Sequence, residues 1–431
     1  MNNRFRLTGL ALALSTSLSA IALEQPQQSS SVSTACQPPA TAPEADASQQ
    51  DFDRYSWNVF VALNWPAQTG QRGQPDCSQP LGSSGPSVWQ SYKTLDEIFL
   101  PNGQNPGPWN SPLETRSLSQ INIAALKNTS VVGAIDQAVG GWLIDQRGNP
   151  TYYDIAANQT SYDYIVENNF YNADIVSKAK DINFPNQATE IKTAWRILTA
   201  QDDASRYLTM QAQVAQFDTQ GQPTGNTTEA TLGLVGMHII VKAPGYPQWI
   251  WSTFEQVDNV PPKVKNPDGT WSNQPQVGIN YSYFDANAPA DSLNQSPCTW
   301  QQQGKNLICT PKAGTSFQTP NPLDRTTPII TATAEVNAQY QQDLQNTLLK
   351  YYQLITTQRP KYPDNPSNPL GQPTPAISAN VTMESYIQPN SSCMQCHSMA
   401  QAVNSVYRSD YSYLFKFAKS PSTLKDNKDE Q

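Results

Sequence analysis

The segment TLGLVGMHIIV, residues 231–241, determines the expected fold, since it is apolar along most of its length and contains no proline. Three neighbouring segments have the period-two pattern or the aromatic content that is typical of β-strands: 190–197, 207–214 and 248–254. Turns are expected near Gly221 and at Pro244-Gly245-Tyr246-Pro247. Because these strands are connected locally, we predict an antiparallel β-sheet.

Helical periodicity outside these strands places helices around the predicted sheet. Three segments with apolar residues at helical intervals are predicted to be helices: 53–64, 161–169 and 336–355. Residues 142–154 predict a β-hairpin, and residues 258–326, rich in proline and asparagine, predict a long surface excursion. The expected fold class is α+β, with an antiparallel β-sheet core flanked by helices and with long Pro/Asn-rich loops.

Both ends of the chain are predicted to lie outside the folded domain. Arg4 and Arg6 precede an apolar run that finishes with Ala20-Ile21-Ala22, as in a secretory signal peptide. An uncleaved membrane anchor is the alternative, but the run is short and interrupted by Ser and Thr. We therefore expect a signal peptide at 1–22, a disordered leader at 23–50, a single domain at 51–420 and a flexible tail at 421–431. The mature chain is expected to be soluble and periplasmic.

The charge balance bears on the class of partner. The chain has 27 Lys+Arg against 35 Asp+Glu, a formal net charge of -8 at pH 7. This balance argues against nucleic acid binding, for which a basic surface is expected. It allows long-range attraction to a basic redox partner protein, although it serves solubility equally well. With 10 Trp and 19 Tyr, the chain has enough aromatic side chains for a sizeable core.

The sequence CMQCH, residues 393–397, is the one place where spacing alone indicates a chemistry. Two thiols three residues apart, followed directly by an imidazole, form the attachment pattern of c-type haem. In that interpretation Cys393 and Cys396 bond the haem edge and His397 is the proximal iron ligand. The alternative is a structural or redox-active disulfide that happens to precede a histidine. Only His238 and His397 occur in 431 residues, and we therefore predict one covalently bound haem c in a C-terminal attachment segment.

Four cysteines remain outside this motif, and in an exported protein they are expected to form disulfides. A short predicted hairpin around Gly304 favours a bond between Cys298 and Cys309. Cys36 then pairs with Cys77 by exclusion. Free buried thiols are the alternative.

The sixth position of the iron separates an electron carrier from an open catalytic or gas-binding site. We expect His238 to fill it, because its apolar strand contains two glycines that would let a flat ring approach the backbone. An open or water-bound position is the second possibility, and Met210, Met237 or Met383 is the third. A hydrogen-bonded core histidine is the alternative for His238 itself.

The strand 248–254 is expected to pair with that of His238 and to bring its aromatic residues close to a haem. Trp249, Trp251 and Phe254 are therefore candidate pocket walls, although ordinary sheet core explains them equally well. Glu255, at the end of this strand, is a candidate for a carboxylate near the haem edge or for a turn cap.

Three segments resemble a family of large exported bacterial proteins named only as cytochrome c family: SWNVFVALNWP at 56–66, WIWSTFE at 249–255 and SCMQCH at 392–397. The resemblance spans most of the chain and implies haem attachment. The β-rich body with a C-terminal motif followed by Asp410-Tyr411 is also similar, more distantly, to the cytochrome c-prime-beta group. That likeness implies a proximal histidine and an open distal side, in proteins that are much shorter.

We therefore expect a periplasmic c-type cytochrome with one covalently bound haem, transferring electrons with histidine on both sides of the iron. Two alternatives remain open. One is a haem enzyme or sensor that acts on a small oxidant or nitrogen compound at an open iron, with His238 or Glu255 as a distal acid or base. The other is a ligand-binding module with a structural haem, because 431 residues exceed what one electron-transfer haem requires.

Overall fold

The structure, a computed structural model, describes residues 35–112, 141–221, 223–303 and 306–421. The predicted signal peptide, the beginning of the predicted leader and residues 422–431 of the predicted tail lie outside them. All of the described residues belong to one compact unit. Within them, no helix combines the length and the apolar character that crossing a bilayer requires.

An antiparallel sheet of eight strands forms the core of the described residues, which confirms the predicted α+β class. The strands in chain order are β1 Lys93–Thr94, β2 Tyr152–Ala157, β3 Thr189–Ile197, β4 Thr209–Phe217, β5 Pro223–Val241, β6 Ile250–Gln256, β7 Lys263–Lys265, β8 Trp271–Asn273, β9 Cys298–Gln303, β10 Asn306–Pro311, β11 Tyr352–Pro360 and β12 Pro373–Thr374. In the sheet, β1, β2, β3, β5, β6, β11 and β12 are neighbours in that order, and β4 pairs with the first half of β5. Strands β7 and β8, and likewise β9 and β10, form separate small hairpins.

Strand β5 lies at the centre of the sheet, and its second half is hydrogen-bonded to β3 on one side and β6 on the other. Successive side chains of a strand project to opposite faces. Met237 and Ile239 are fully buried on one face, and Ile240 is 7% exposed on the other. Both faces of the sheet are therefore covered here, which explains why 231–241 is almost continuously apolar.

The helices occupy positions that their sequences dictate locally. They are α1 Gln49–Leu63, α2 Leu95–Ile98, α3 Gln159–Glu167, α4 Ala173–Val176, α5 Thr331–Asp343 and α6 Cys393–His397. Ser48 and Asp51 form a capping box that starts α1, and the helix ends at Asn64, shortly before Pro66. The predicted helices 53–64 and 161–169 are thus confirmed as α1 and α3.

Helices α1 and α5 pack together on one face of the sheet, which we call the helix face. The Trp57 indole stacks on the Tyr340 ring with 5.0 Å between centroids and donates a 2.8 Å hydrogen bond to Asn337. Phe60 stacks on Phe254 of β6 at 4.2 Å. These aromatic contacts bury the apolar side of α1 against the sheet.

The predicted helix over 336–355 is correct only in its first half. Helix α5 ends at Asp343, and residues 352–360 form β11, an inner strand that pairs with β6. The side chain of Asn337 on α5 accepts from the Leu354 N–H and donates to the Leu354 carbonyl, which attaches the strand to the helix. The β-branched run Ile355-Thr356-Thr357 favours the extended conformation.

The predicted hairpin over 142–154 is reduced to one isolated bridge between Ile144 and Pro150. The sequence after it belongs instead to β2, which pairs with β3 along its whole length. The segment 258–326, predicted to be a surface excursion, also contributes to the hydrophobic core, because Tyr283 and Leu323 are fully buried in a core cluster.

Both predicted disulfides are present. Cys298 is bonded to Cys309 across the β9–β10 hairpin, and Cys36 is bonded to Cys77. Within the predicted leader, the carbonyl of Pro43 accepts a hydrogen bond from the Tyr246 hydroxyl at 2.5 Å. Residues 35–50 are therefore attached to the folded body by a disulfide and by several hydrogen bonds, among them one from the Arg359 guanidinium to the Ala47 carbonyl.

Candidate haem site

The CMQCH segment forms α6 and packs on the sheet face opposite the helix face. Gln358 of β11 accepts hydrogen bonds at 2.9 Å from the Met394 N–H and at 3.1 Å from the Ser392 hydroxyl. Its neighbour Thr357 projects the other way and bonds Ser56 of α1 at 2.7 Å. Since adjacent strand residues point to opposite faces, α6 and α1 lie on different sides of the sheet. We call the side that carries α6 the motif face.

The two cysteines of α6 are thiols that form no disulfide. Ser392 caps the helix by accepting from the Gln395 N–H, and the Cys393 thiol lies 3.4 Å from the Ser378 hydroxyl. Burial raises the pKa of Cys393 to about 12 and also raises the pKa of Cys396. Redox-active Cys-x-x-Cys pairs have lowered thiol pKa values. This environment therefore does not favour the thiol-exchange alternative.

The imidazole of His397 is oriented by its backbone partner. Its Nδ1 atom lies 2.8 Å from the carbonyl oxygen of Tyr411. A carbonyl only accepts, so Nδ1 carries the proton and Nε2 keeps its lone pair. Burial lowers the pKa of His397 to about 4, and the hydrogen bond to the Tyr411 carbonyl opposes this shift. His397 is therefore neutral at pH 7, with Nε2 able to bind a metal.

Aromatic rings and a strained loop hold this imidazole in place. The centroids of the Trp251 and Tyr413 rings lie 4.4 and 4.9 Å from that of His397. Asp410 and Tyr411 both have positive φ, 52° and 65°, a conformation that costs free energy for residues with a Cβ. The carboxylate of Asp410 bonds the Lys242 ammonium at 2.8 and 2.9 Å, and this buried ion pair fixes the loop.

His238 lies on the motif face as expected, but a carboxylate already contacts it. Its Nε2 atom is 3.1 Å from Oε1 of Glu384, whose other oxygen accepts from the Asn380 N–H at 2.8 Å. Burial raises the pKa of Glu384, yet His238, Lys192 and this N–H together hold it below its usual value. Glu384 is therefore ionised at neutral pH. Lys192 is the cross-strand neighbour of His238 on β3.

The three aromatic residues proposed as pocket walls do not lie on one face, because successive side chains of β6 project to opposite sides of the sheet. Trp251 projects from the motif face and contacts His397. Phe254 projects from the opposite side and packs on Phe60 of α1, so its expected place beside a haem is wrong. Trp249 precedes β6 at a φ of 64° and packs on Phe184.

Glu255 stabilises the fold through a buried ion pair and a hydrogen bond to the backbone. It is fully buried and forms an ion pair with Arg325 at 2.6 Å, and it accepts from the Val381 N–H at 2.8 Å. A carboxylate engaged in this way is not available as a distal acid or base. The excursion, which supplies Arg325, therefore determines the role of Glu255.

The three methionines named as alternative iron ligands lie in the core or on a strand other than that of His238. Met237 projects to the face opposite His238 and is fully buried, and Met383 is 1% exposed within an apolar core cluster. Met210 lies on β4, which pairs only with the first half of β5. Among the described residues, no three His, Cys, Asp or Glu side chains gather as ligands of a bare metal ion. A haem needs at most two protein ligands, because the porphyrin supplies the other four.

Glu190 is a buried carboxyl group on the motif face that the sequence did not single out. It is 5% exposed, and its Oε1 atom has no hydrogen-bond partner among the described residues. It is the cross-strand neighbour of Ile240, which in turn is opposite Trp251. Burial raises the pKa of Glu190 to about 8, while a hydrogen bond to Ser412 acts in the other direction.

This raised pKa makes the free energy of unfolding depend on pH. The unfolded chain releases the Glu190 proton near the ordinary value of 4.5, whereas the folded chain releases it near 8. Between these values the folded state binds more protons, so Glu190 lowers stability as pH rises, by at most about 1.4 kcal/mol per pH unit. Glu190→Gln should flatten the dependence between pH 5 and 8 in urea unfolding, whereas Glu229→Gln, exposed on β5, should leave it unchanged. An unaltered slope in Glu190→Gln would contradict this.

In comparisons with known proteins, no family model, no curated protein and no solved structure matches this chain.

Proposed function

We propose that this chain is a periplasmic c-type cytochrome with one haem attached to CMQCH, and that it transfers electrons. The observation that carries the proposal is the orientation of His397, whose Nδ1 donates to the Tyr411 carbonyl and whose Nε2 is left to bind iron. A backbone acceptor of this kind is the usual partner of a metal-binding histidine. Cys393 and Cys396 lie on the same helix turn outside any disulfide and would supply the two thiols.

These residues fit the chemistry of a c-type haem. The group would supply an iron that gains and loses one electron. Cys393 and Cys396 would hold it covalently, His397 would bind the iron, and Trp251 and Tyr413 would keep the imidazole from turning. Export is proposed from the N-terminal sequence, and the net charge of -8 supports docking to a basic redox partner.

We propose His238 as the ligand on the second side of the iron. Histidine on both sides favours a lower potential than a histidine and methionine pair. The two histidines share the motif face, because His238 is the cross-strand neighbour of Thr253, which projects to the same side as Trp251, the residue that contacts His397. His238 would then hold the iron through Nε2, the atom that now contacts Glu384.

The His238–Glu384 hydrogen bond also supports a second candidate function. If His238 keeps Glu384 as its partner, the distal side stays open, and the pair resembles the oriented acid and base of an enzyme. The substrate would be a small oxidant or nitrogen compound. Turnover of peroxide or hydroxylamine that is lost in His238→Ala, with haem content unchanged, would support this candidate.

Carbon monoxide distinguishes the two candidates. We expect the ferrous holoprotein to be low-spin and unaffected by carbon monoxide, because His238 occupies the sixth position. His238→Ala should bind carbon monoxide promptly, while Met210→Ala should behave as the wild type. Prompt binding by the wild type, measured in the Soret band, would remove His238 as a ligand and leave the open-site candidate.

A further inference from the structure

A cavity separate from the haem site opens between three loop segments. Its volume is about 620 Å³, and its walls come from the turn after Ile144, the end of β3 with the loop that follows it, and residues 275–286 of the excursion. Small-molecule sites in proteins commonly measure about 300–1,000 Å³. The cavity is therefore of a size that accepts a small organic ligand.

The cavity is lined by two positively and two negatively charged side chains, so their formal charges sum to zero. They belong to Arg147, Arg196, Asp202 and Asp285. Asp202 accepts from Arg196 at 2.9 Å and from Arg147 at 3.2 Å, and Arg196 is also paired with the buried Asp145 at 3.0 Å. An anion would meet arginines that already have partners, and a cation would meet two guanidinium groups. The lining therefore favours a neutral ligand.

The remaining lining groups combine amides with aromatic rings. Gln146 and Asn280 line the cavity, and the buried Nε2 of Gln146 has no hydrogen-bond partner among the described residues. Tyr281 and Phe284 also line it, in an edge-to-face pair with 6.0 Å between centroids. Amides donate and accept hydrogen bonds, and aromatic rings pack on apolar C–H faces. A sugar presents both, with hydroxyls at its rim and C–H groups on its face.

We infer that this cavity binds a neutral sugar or a similar polyhydroxylated molecule. The site is distinct from the haem motif: Arg196 lies four residues along β3 from Lys192, the neighbour of His238, or about 13 Å at the rise of a strand. The inference rests on this cavity alone and does not depend on haem attachment.

The test uses the purified mature chain, with whatever haem it carries, in isothermal titration calorimetry and saturation-transfer NMR. The probes are glucose, galactose, maltose and trehalose, with acetate and putrescine as charged controls. We expect saturable binding of at least one sugar, with no change in the Soret band. Gln146→Leu and Asn280→Ala should each weaken it about two- to tenfold, the effect of one neutral hydrogen bond.

Matched controls keep this test decisive. Gln345→Leu removes an exposed amide outside the cavity and should bind as the wild type does. Asn280 is itself exposed, so Asn280→Ala answers the question even if Gln146→Leu fails to fold. Failure of all four sugars to bind, tighter binding of acetate or putrescine, or unchanged affinity in Asn280→Ala would each overturn the inference.

Discussion

Serine at both Cys393 and Cys396 should abolish covalent haem attachment. The thiols are the atoms that would bond the haem edge, and a hydroxyl does not form the thioether. We expect denatured wild-type protein to show the mass of the mature chain plus one haem, and the double variant to show the chain mass alone. A stained gel for haem peroxidase activity should lose its signal in parallel.

The control for this experiment is a variant that loses a different pair of cysteines. Cys36→Ser with Cys77→Ser removes a disulfide, but it leaves α6 and the His397 partner untouched. It should retain the full mass increment. A wild-type chain without added mass, expressed where other bacterial c-type haem proteins mature normally, would overturn the proposed function.

Replacing Arg325 by leucine should lower the free energy of unfolding by about 3–5 kcal/mol, because it leaves the Glu255 carboxylate buried without its counter-charge. Glu255 is fully buried and the Arg325 side chain is 3% exposed. Urea unfolding followed by tryptophan fluorescence measures the change.

An exposed ion pair provides the matched control. Arg54 and Asp51 lie 3.6 Å apart with side chains 40% and 50% exposed. Arg54→Leu should cost less than about 1 kcal/mol, since water screens such pairs. Equal effects of the two substitutions would show that Glu255 is not held by Arg325 as described.

Local patterns were sufficient for much of the sheet. The strands that contain Trp195 and His238 alternate or are apolar throughout, and they form β3 and β5 where the sequence placed them. The Cys298–Cys309 disulfide was also predictable, because a short hairpin brings its two ends together. In each case the deciding interactions lie between residues that are close along the chain or between neighbouring strands.

Strand β11 could not be predicted from local sequence patterns. Apolar residues from Val336 to Ile355 match a helical stripe, and the same residues also fit a helix followed by a strand. The pairing of β11 with β6 and the two hydrogen bonds from Asn337 decide between these alternatives. Both depend on tertiary contacts that periodicity does not contain.

In the candidate site, too, local features could be predicted from the sequence and tertiary contacts could not. Spacing alone points to Cys393, Cys396 and His397 as the proposed haem-attachment residues, because the pattern that predicts them is local. The partner of His397 is a main-chain carbonyl, which has no side-chain signature. Glu384 is a single carboxylate in an irregular segment, and its relation to His238 exists only once the motif face is assembled.

The alternation of β6 has a genetic consequence. Trp251 and Thr253 face the same side as His397, whereas Ser252 and Phe254 face α1. Substitutions in the first pair would alter the optical spectrum or potential of the proposed haem, and those in the second would chiefly alter thermal stability. Substitutions at neighbouring codons of this strand would therefore have different kinds of phenotype. Deletion of one codon there would shift the register by one residue and turn each following side chain of the strand to the opposite face of the sheet.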